Sequence, residues 1–422
     1  MITKKIFFIA WIIGLMSGFA IMISGNTLNF WLAKEGINIK TIGMFALISL
    51  PYAINFIWAP LFDIKKIPVL HALFGQRLSW VLFTQVLLSI AVYLMSRLSP
   101  LEDIESIAVC GLLIAFLSSA QDTVLGALRT ELVDKKQQGE ISGMYVFGYR
   151  IGMLVASSGA IYLSQTISWN LIYELFSVVI ITFPIVLIVL SKDFDFERSK
   201  FDNIPDLNTI REDSLFNRSR KFLLDLISPV GHYKYIIFVL IFLILYRLPD
   251  NFISMMINPF LLHIGYNEFE ISTVGKLLGV TSAMAGGLIA SHIMKKKDIY
   301  DSLLMFGAMH AAAHVLFIVQ EIYGHNIYLL VVVTGFESIS GGMAMAAYIA
   351  FIASLCQGKF RATQYSFFSS MMGLSRSIFP ALSGYMVASF GWTVFYLFTT
   401  IATVPSLIMI LYLEKTRKRE GE

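Results

Sequence analysis

Residues 29–43 read NFWLAKEGINIKTIG and residues 258–275 read NPFLLHIGYNEFEISTVG. Both stretches end in a Thr-apolar-Gly triplet that opens a new apolar run. Other matches share nearly the same offset. Trp169-x3-Tyr173 with Pro184 recurs as Trp392-x3-Tyr396 with Pro405, and Arg150 and Arg376 hold corresponding places. Each match alone is weak, but the common offset implies a chain written twice. A parallel repeat of two six-helix halves is a transporter architecture, with the substrate site near the membrane midplane between the halves.

Composition sets the same class. The chain has 422 residues, 57% hydrophobic and 14% charged, where a soluble domain carries about 25% charged residues. A helix needs about 20 apolar residues to cross a bilayer. Twelve runs qualify: 6–31, 41–61, 78–97, 106–131, 141–165, 169–190, 234–262, 269–294, 300–320, 326–356, 362–388 and 392–413. The expected fold is an all-α integral membrane protein of twelve transmembrane helices, six plus six around a central cavity. The first run is too long for a cleavable leader and reads as a retained span. Cys110 and Cys356 both lie in apolar runs, so neither a disulfide framework nor a metal site is expected. The net charge of +4 is no nucleic-acid signal.

Loop charge orients the chain. With the N-terminus in the cytoplasm, the inside segments hold 24 Lys and Arg residues and the outside loops only Lys34, Lys40 and Arg97. Both termini are therefore expected on the cytoplasmic side. Residues 1–191 form an N-terminal six-helix bundle and 234–422 a C-terminal one with a short basic tail. Residues 192–233 are a cytoplasmic linker with an interfacial helix near 215–227, too short to bury a core of their own.

Four spans carry residues that a lipid-facing helix avoids. They hold Asn26, Thr27 and Asn29; Gln121 and Asp122; Tyr246, Arg247 and Asp250; and Glu337. A charge at the bilayer centre costs at least ~2.5–3.5 kcal/mol, so such residues face a cavity or a partner. Asp122 has two readings: a titrating group that couples to conformation, or a structural ion-pair partner of Arg129 or Arg150. Glu337 has no base near it in sequence, which suits a proton carrier; the alternative is a protonated acid bonded to a neighbouring serine. Arg247 and Asp250, three apart, can neutralise each other on one face. Five interior bases (Arg129, Arg150, Arg247, Lys276, Arg376) outnumber three interior acids (Asp122, Asp250, Glu337). A positive cavity favours substrates bearing carboxylates or phosphates. Pro249 and Pro259 imply a broken seventh span that acts as a gate. Gly148-x3-Gly152 and Gly275-x3-Gly279 imply close helix packing. His310 and His314 are one turn apart but lack an evident third ligand. No phosphate-cradling loop followed by Lys-Ser/Thr is present, nor a nucleophile with its base, so neither ATP-driven pumping nor enzymatic chemistry is expected, and no cofactor.

The second loop reads Pro60-Leu61-Phe62-Asp63 and then Gly75-Gln76-Arg77. It resembles the loop motif of the major facilitator superfamily, stretched by an insertion, with Asp63 as a charged latch. Eight ordered blocks narrow the likeness: Lys40-Thr41-Ile42-Gly43, Trp58-x-Pro60-Leu61-x-Asp63, Ser119-Ala120-Gln121-Asp122, Gly148 to Leu154, Leu245-Tyr246-Arg247-Leu248-x-Asp250, Phe336-Glu337-x3-Gly341-Gly342-Met343, Ala362-Thr363-Gln364 and Gly391-Trp392-x2-Phe395-Tyr396-Leu397-Phe398. On these the chain resembles the AmpG muropeptide permease family of that superfamily. The resemblance implies a monomer that imports anhydro-muropeptides across a bacterial inner membrane, driven by the proton gradient, with Gln364 joining the pathway residues above. Two departures stand out. Some family members carry two more C-terminal spans, and Gly126 occupies a place where the family leads one to expect an acid. The alternative is a related carrier for another amphiphilic anion such as a peptide, sugar acid or acyl-CoA.

Overall fold

The structure, a computed structural model, describes residues 4–58, 61–62, 65–131, 138–191, 233–355 and 361–420. Asp63, residues 192–232 of the expected linker and the interfacial helix near 215–227 lie outside the described residues. The helices of the first half are α1 (Lys4–Lys34), α2 (Ile39–Ala53), α3 (Pro68–Met95), α4 (Ile104–Glu131), α5 (138–163) and α6 (Trp169–Ser191). Those of the second are α7 (Tyr233–Ile264), α8 (Glu268–Met294), α9 (Ile299–Tyr323), α10 (Ile327–Leu355), α11 (361–390) and α12 (392–420). The last two are divided at Gly391, whose φ of +79° breaks an otherwise continuous run. All but α2 are long enough to cross a bilayer; α2 is a shorter apolar helix.

The repeat seen in sequence is carried by matching end chemistry. Gly36 ends α1 at φ +77° and Gly265 ends α7 at φ +97°. In both, the residue after the glycine returns to a carbonyl five back: Ile37 N to Leu32 O at 3.0 Å, Tyr266 N to Leu261 O at 3.1 Å. This six-to-one closure needs a left-handed residue, which glycine adopts without a Cβ clash. An asparagine then caps each following helix. Asn38 accepts from Lys40 N, and Asn267 accepts from Glu270 N while Glu270 bonds back to Asn267 N. Such caps contribute about 1 kcal/mol each and fix where α2 and α8 start.

Glycine sets the tightest helix contacts. A Cβ on Gly14 or Gly18 of α1 would collide with carbonyl oxygens of Tyr145 or Tyr149 on α5, and one on Gly148 or Gly152 would strike α1 in return. The expected Gly148/Gly152 pair thus packs as read. The expected Gly275/Gly279 pair does not: a Cβ at either meets side chains only, no nearer than 3.2 Å. The second half uses Gly286 and Gly342 instead, which press α8 and α10 backbone to backbone.

The apolar cores show which end is closed. One buried cluster draws only on 9–187 and another only on 235–413; both lie towards the chain-terminal end of the bundle. The third joins Phe19, Trp31 and Tyr173 to Phe252, Phe260 and Tyr396, at the opposite end. Among the described residues, the buried cluster common to both halves lies where the short connections at 35–38 and 265–267 are found. There, wide turns in α1 (Ile23–Thr27), α5 (Val155–Gly159) and α8 (Ile271–Leu278) face one another. The sequence expectation of a broken α7 fails: α7 is one helix through Pro249 and Pro259. The irregular backbone falls instead in α1, α5 and α8, where wide helical turns free carbonyls for partners on other helices.

Candidate functional site

Polar residues within the bundle separate into three groups. The first is a clasp at the closed end. Asn29 Nδ2 donates to Met255 O at 3.0 Å, and Asn258 Nδ2 donates to Asn26 O at 3.1 Å and to Asn29 Oδ1 at 3.2 Å. Each asparagine of the repeat thus reaches the carbonyl three residues before its counterpart. Thr27 Oγ1 donates to Ala156 O at 2.7 Å, Ser157 Oγ to Asn26 Oδ1 at 3.0 Å, and Ser158 Oγ to Ser272 O at 2.7 Å. Lys34 pairs with Glu268 across the halves at 2.5 Å. Asn26 and Asn29, read as pathway residues, are engaged here in holding the halves together.

The second group lies in the first half. Ser17 Oγ donates to Asp122 Oδ1 at 2.6 Å and meets Tyr145 OH at 3.0 Å. The Arg129 guanidinium stacks over the Tyr145 ring at 4.6 Å. Among the described residues Asp122 has no ion pair, so neither Arg129 nor Arg150 is its partner. A seven-residue spacing put Arg129 on the same face, but its side chain turns to Tyr145. Gln121 is fully buried and accepts from Gln85 Nε2 at 2.7 Å, joining α3 to α4 rather than facing a cavity. Gly126, one turn beyond Asp122, faces open space.

The third group binds α7, α9 and α10. Arg247 and Asp250 form the expected ion pair. His310 extends it: Nε2 lies 3.4 Å from Asp250 Oδ1 and Nδ1 lies 3.1 Å from Ser340 Oγ. Ser338 Oγ donates to Glu337 Oε2 at 3.0 Å, the serine bond foreseen for that acid. Donor atoms of Asp250, His310 and Glu337 lie within 4.8 Å of one another. Lys276 of α8 is within electrostatic reach of Glu337. Tyr246 donates to Leu303 O at 3.1 Å and stacks on Tyr348 at 5.9 Å, bracing α7 against its neighbours. The sequence reading missed His310, Ser17 and Tyr145. His310 is visible in the sequence one turn from His314, but no spacing within α9 reveals that Asp250 of α7 and Glu337 of α10 stand beside it.

Besides Arg129, which stacks on Tyr145, two interior bases have no acid partner among the described residues. Arg376 of α11 is exposed within the bundle and acts on the phenols of Tyr52 and Tyr149 from the first half. Arg150 of α5 acts on the same Tyr149. The loop residues Gly75 and Arg77 sit at the start of α3: Gly75 takes φ +75°, and Arg77 is buried. Gln76 Nε2 donates to Phe62 O at 2.9 Å and to Lys65 O at 2.7 Å, fastening this turn. The side chain of Gln364 lies outside the described residues.

The sequence model of the Major Facilitator Superfamily matches residues 10–320 and 302–422. Among relatives, a Rickettsia bellii protein with the provisional name transporter AmpG 1 is 55% identical over 96% of this chain and 97% of its own length. The anhydromuropeptide permease of Escherichia coli K12 is 30% identical over 96% of this chain and 79% of its length. Among solved structures, a D-xylose-proton symporter superposes with a TM-score of 0.70 at 10% identity, covering 97% of both chains. A bacterial homologue of the lysosomal transporter Spinster, described as inward-facing and unoccupied, gives 0.67 at 12% identity, covering 97% of this chain and 94% of the other. At such identities these two speak for the fold alone. The chain belongs to the major facilitator superfamily and, within it, to the AmpG-type permeases.

Proposed function

We propose that this protein imports anhydro-muropeptides, GlcNAc–anhydro-MurNAc and its peptide derivatives, across a bacterial inner membrane by proton symport with alternating access. The relationship to the Escherichia coli permease supports the substrate class. The observation that carries the reading is the pair of arginines, Arg150 and Arg376, that act electrostatically on Tyr149 together with Asp122 and have no ion-pair partner among the described residues. A bare guanidinium at mid-membrane is costly, and a carboxylate is the partner its two-pronged donor set fits. The peptide of a muropeptide supplies carboxylates, and the phenols of Tyr52 and Tyr149 offer flat, hydroxyl-tipped surfaces to a sugar.

Loop charge places both termini in the cytoplasm. In that orientation the clasped end faces outward and the separated cores face the cytoplasm, so the protein stands closed to the outside. It acts as a monomer within the bilayer, with protons and the muropeptide as its partners. Asp122 and Glu337 are the acids that fit the coupling role.

A second reading has its own support. Gly126 faces open space where the resemblance leads one to expect an acid. A cavity lacking that charge suits a different amphiphilic anion, such as another peptide, a sugar acid or an acyl-CoA. Counterflow in proteoliposomes separates the two. Vesicles preloaded with unlabelled anhydro-muropeptide are expected to draw in the labelled form; exchange with acyl-CoA but not with muropeptide would favour the second reading.

A further inference from the structure

The hydrogen count at His310 is constrained by its neighbours. Ser340 carries one hydroxyl hydrogen and its Oγ donates to the Glu337 carbonyl at 3.0 Å. The 3.1 Å contact between Ser340 Oγ and His310 Nδ1 is then a hydrogen bond only if Nδ1 carries a proton. A neutral ring protonated at Nδ1 would turn the lone pair of Nε2 towards Asp250 Oδ1, 3.4 Å away. That is repulsive. Nε2 is buried and has no hydrogen-bond partner among the described residues. A second proton on Nε2 turns the repulsive contact into an attractive ion pair. Asp250 stays ionised because Arg247 pairs with it.

We propose that His310 is the coupling group of this transporter, holding the transported proton on Nε2 between Asp250 of α7 and Glu337 of α10. The assignment rests on the proton-symport reading above and names the residue that performs it. The charged and titratable groups around His310 are few. Arg247, Asp250 and Tyr246 come from α7, Lys276 from α8 by way of Glu337, His314 from α9 with its ring 4.7 Å away, and Glu337 from α10. From α12, Thr403, Ser406 and Leu407 line the opening beside it, none of them charged. Arg247 and Lys276 offset Asp250 and Glu337, so the group is neutral when His310 is neutral and gains one positive charge when it is loaded. A divalent cation held by the same three ligands would add two charges beside two bases, which is why the site suits a proton rather than a metal. Loading forms an N–H bond at Nε2, the proton coming from water by way of the Asp250 or Glu337 carboxyl. Release breaks that bond to a carboxylate of the same pair and then to water, and no electrons move. The added charge raises the cavity's attraction for an anion, so proton and substrate favour each other's binding by reciprocal linkage.

Two measurements decide it. Histidine-selective nitrogen NMR of the full protein in bilayers, near neutral pH and without substrate, is expected to show one imidazolium ring that is missing from H310Q. A ring at His310 protonated on one nitrogen only would overturn the proposal. If H310Q does not fold, Ser340→Ala is expected to move the Nδ1 signal of that ring, and an unchanged spectrum would overturn it. In proteoliposomes H310Q is expected to lose gradient-driven accumulation by about tenfold or more, and to lose the pH dependence of substrate affinity that this linkage gives the wild type. Full accumulation by H310Q contradicts the proposal, as does transport that requires added Zn2+ or Mn2+ and is abolished by a chelator. If the wild-type protein exchanges no muropeptide, the substrate reading fails, while the NMR result still decides the role of His310.

Discussion

Asp122 and Glu337 differ in what surrounds them, and this separates their expected behaviour. Asp122 is held by the Ser17 hydroxyl and has no ion-pair partner among the described residues, so the Asn variant preserves an acceptor for Ser17 and removes only the charge. Asp122→Asn is expected to leave counterflow within about twofold and to lower uphill accumulation about tenfold if this acid shares the coupling; unchanged accumulation in the same vesicles would confine Asp122 to a structural role. At Arg376 the expectation is different. Arg376→Gln removes a guanidinium that has no acid partner among the described residues, so protein stability is expected to change little while the KM for an anionic substrate rises about tenfold, in line with a charge-assisted hydrogen bond of about 1.5–3 kcal/mol. At this scale the sequence exposed charges well and partners poorly. Arg247 with Asp250 was legible because three residues along a helix fix a shared face. The Ser17–Asp122–Tyr145 contact was not, because it joins α1, α4 and α5, and no spacing within one helix encodes which helices meet.

Helix ends and wide turns place the gate. The reciprocal bonds of Asn29 and Asn258 close the end opposite the termini, and each variant to Ala loses two of the three bonds that tie the two side chains across the halves. At a net ~1 kcal/mol per buried hydrogen bond, losing two is expected to shift the closed-to-open ratio at this end about thirtyfold in either variant. The double variant is expected to show less than the sum, because the two side chains share one bond. Spin-label distances between the loops at 35–38 and 265–267 would read this directly; an unaltered distance distribution in both single variants would contradict it. Gly18→Val is expected to cost several kcal/mol or prevent folding, since its side chain would enter the α5 backbone at Tyr149, whereas Gly126→Ala, facing open space, is expected to be nearly neutral in a thermal unfolding assay. The turns at Gly36 and Gly265 emerge from the structure, where a left-handed residue closes each helix and glycine fills it without strain. The site of irregularity was misplaced to α7 because proline is the visible breaker. The wide turns of α1, α5 and α8 instead follow from tertiary bonds to their freed carbonyls, as with Ala156 O and Ser272 O.

For the whole molecule, two cores kept to their own halves and one core shared between them describe a protein closed at one end. Twelve apolar runs and their repeat were enough to give this architecture, because bilayer thickness fixes helix length and leaves little freedom in how twelve helices connect. Which end is closed was not legible, since it depends on packing between residues more than 200 positions apart, such as Asn29 and Asn258. The proposed substrate class rests on ordered blocks of family likeness, and Arg150 and Arg376, without an acid partner among the described residues, suit a carboxylate-bearing substrate. The measurement that tests the account most directly is uptake of labelled anhydro-muropeptide into sealed, right-side-out vesicles holding this protein, with an imposed inward proton gradient and with that gradient collapsed by an uncoupler. Accumulation above the external concentration only while the gradient stands is the predicted result. Equal uptake in both conditions would contradict proton symport, and no uptake in either would contradict the muropeptide as substrate.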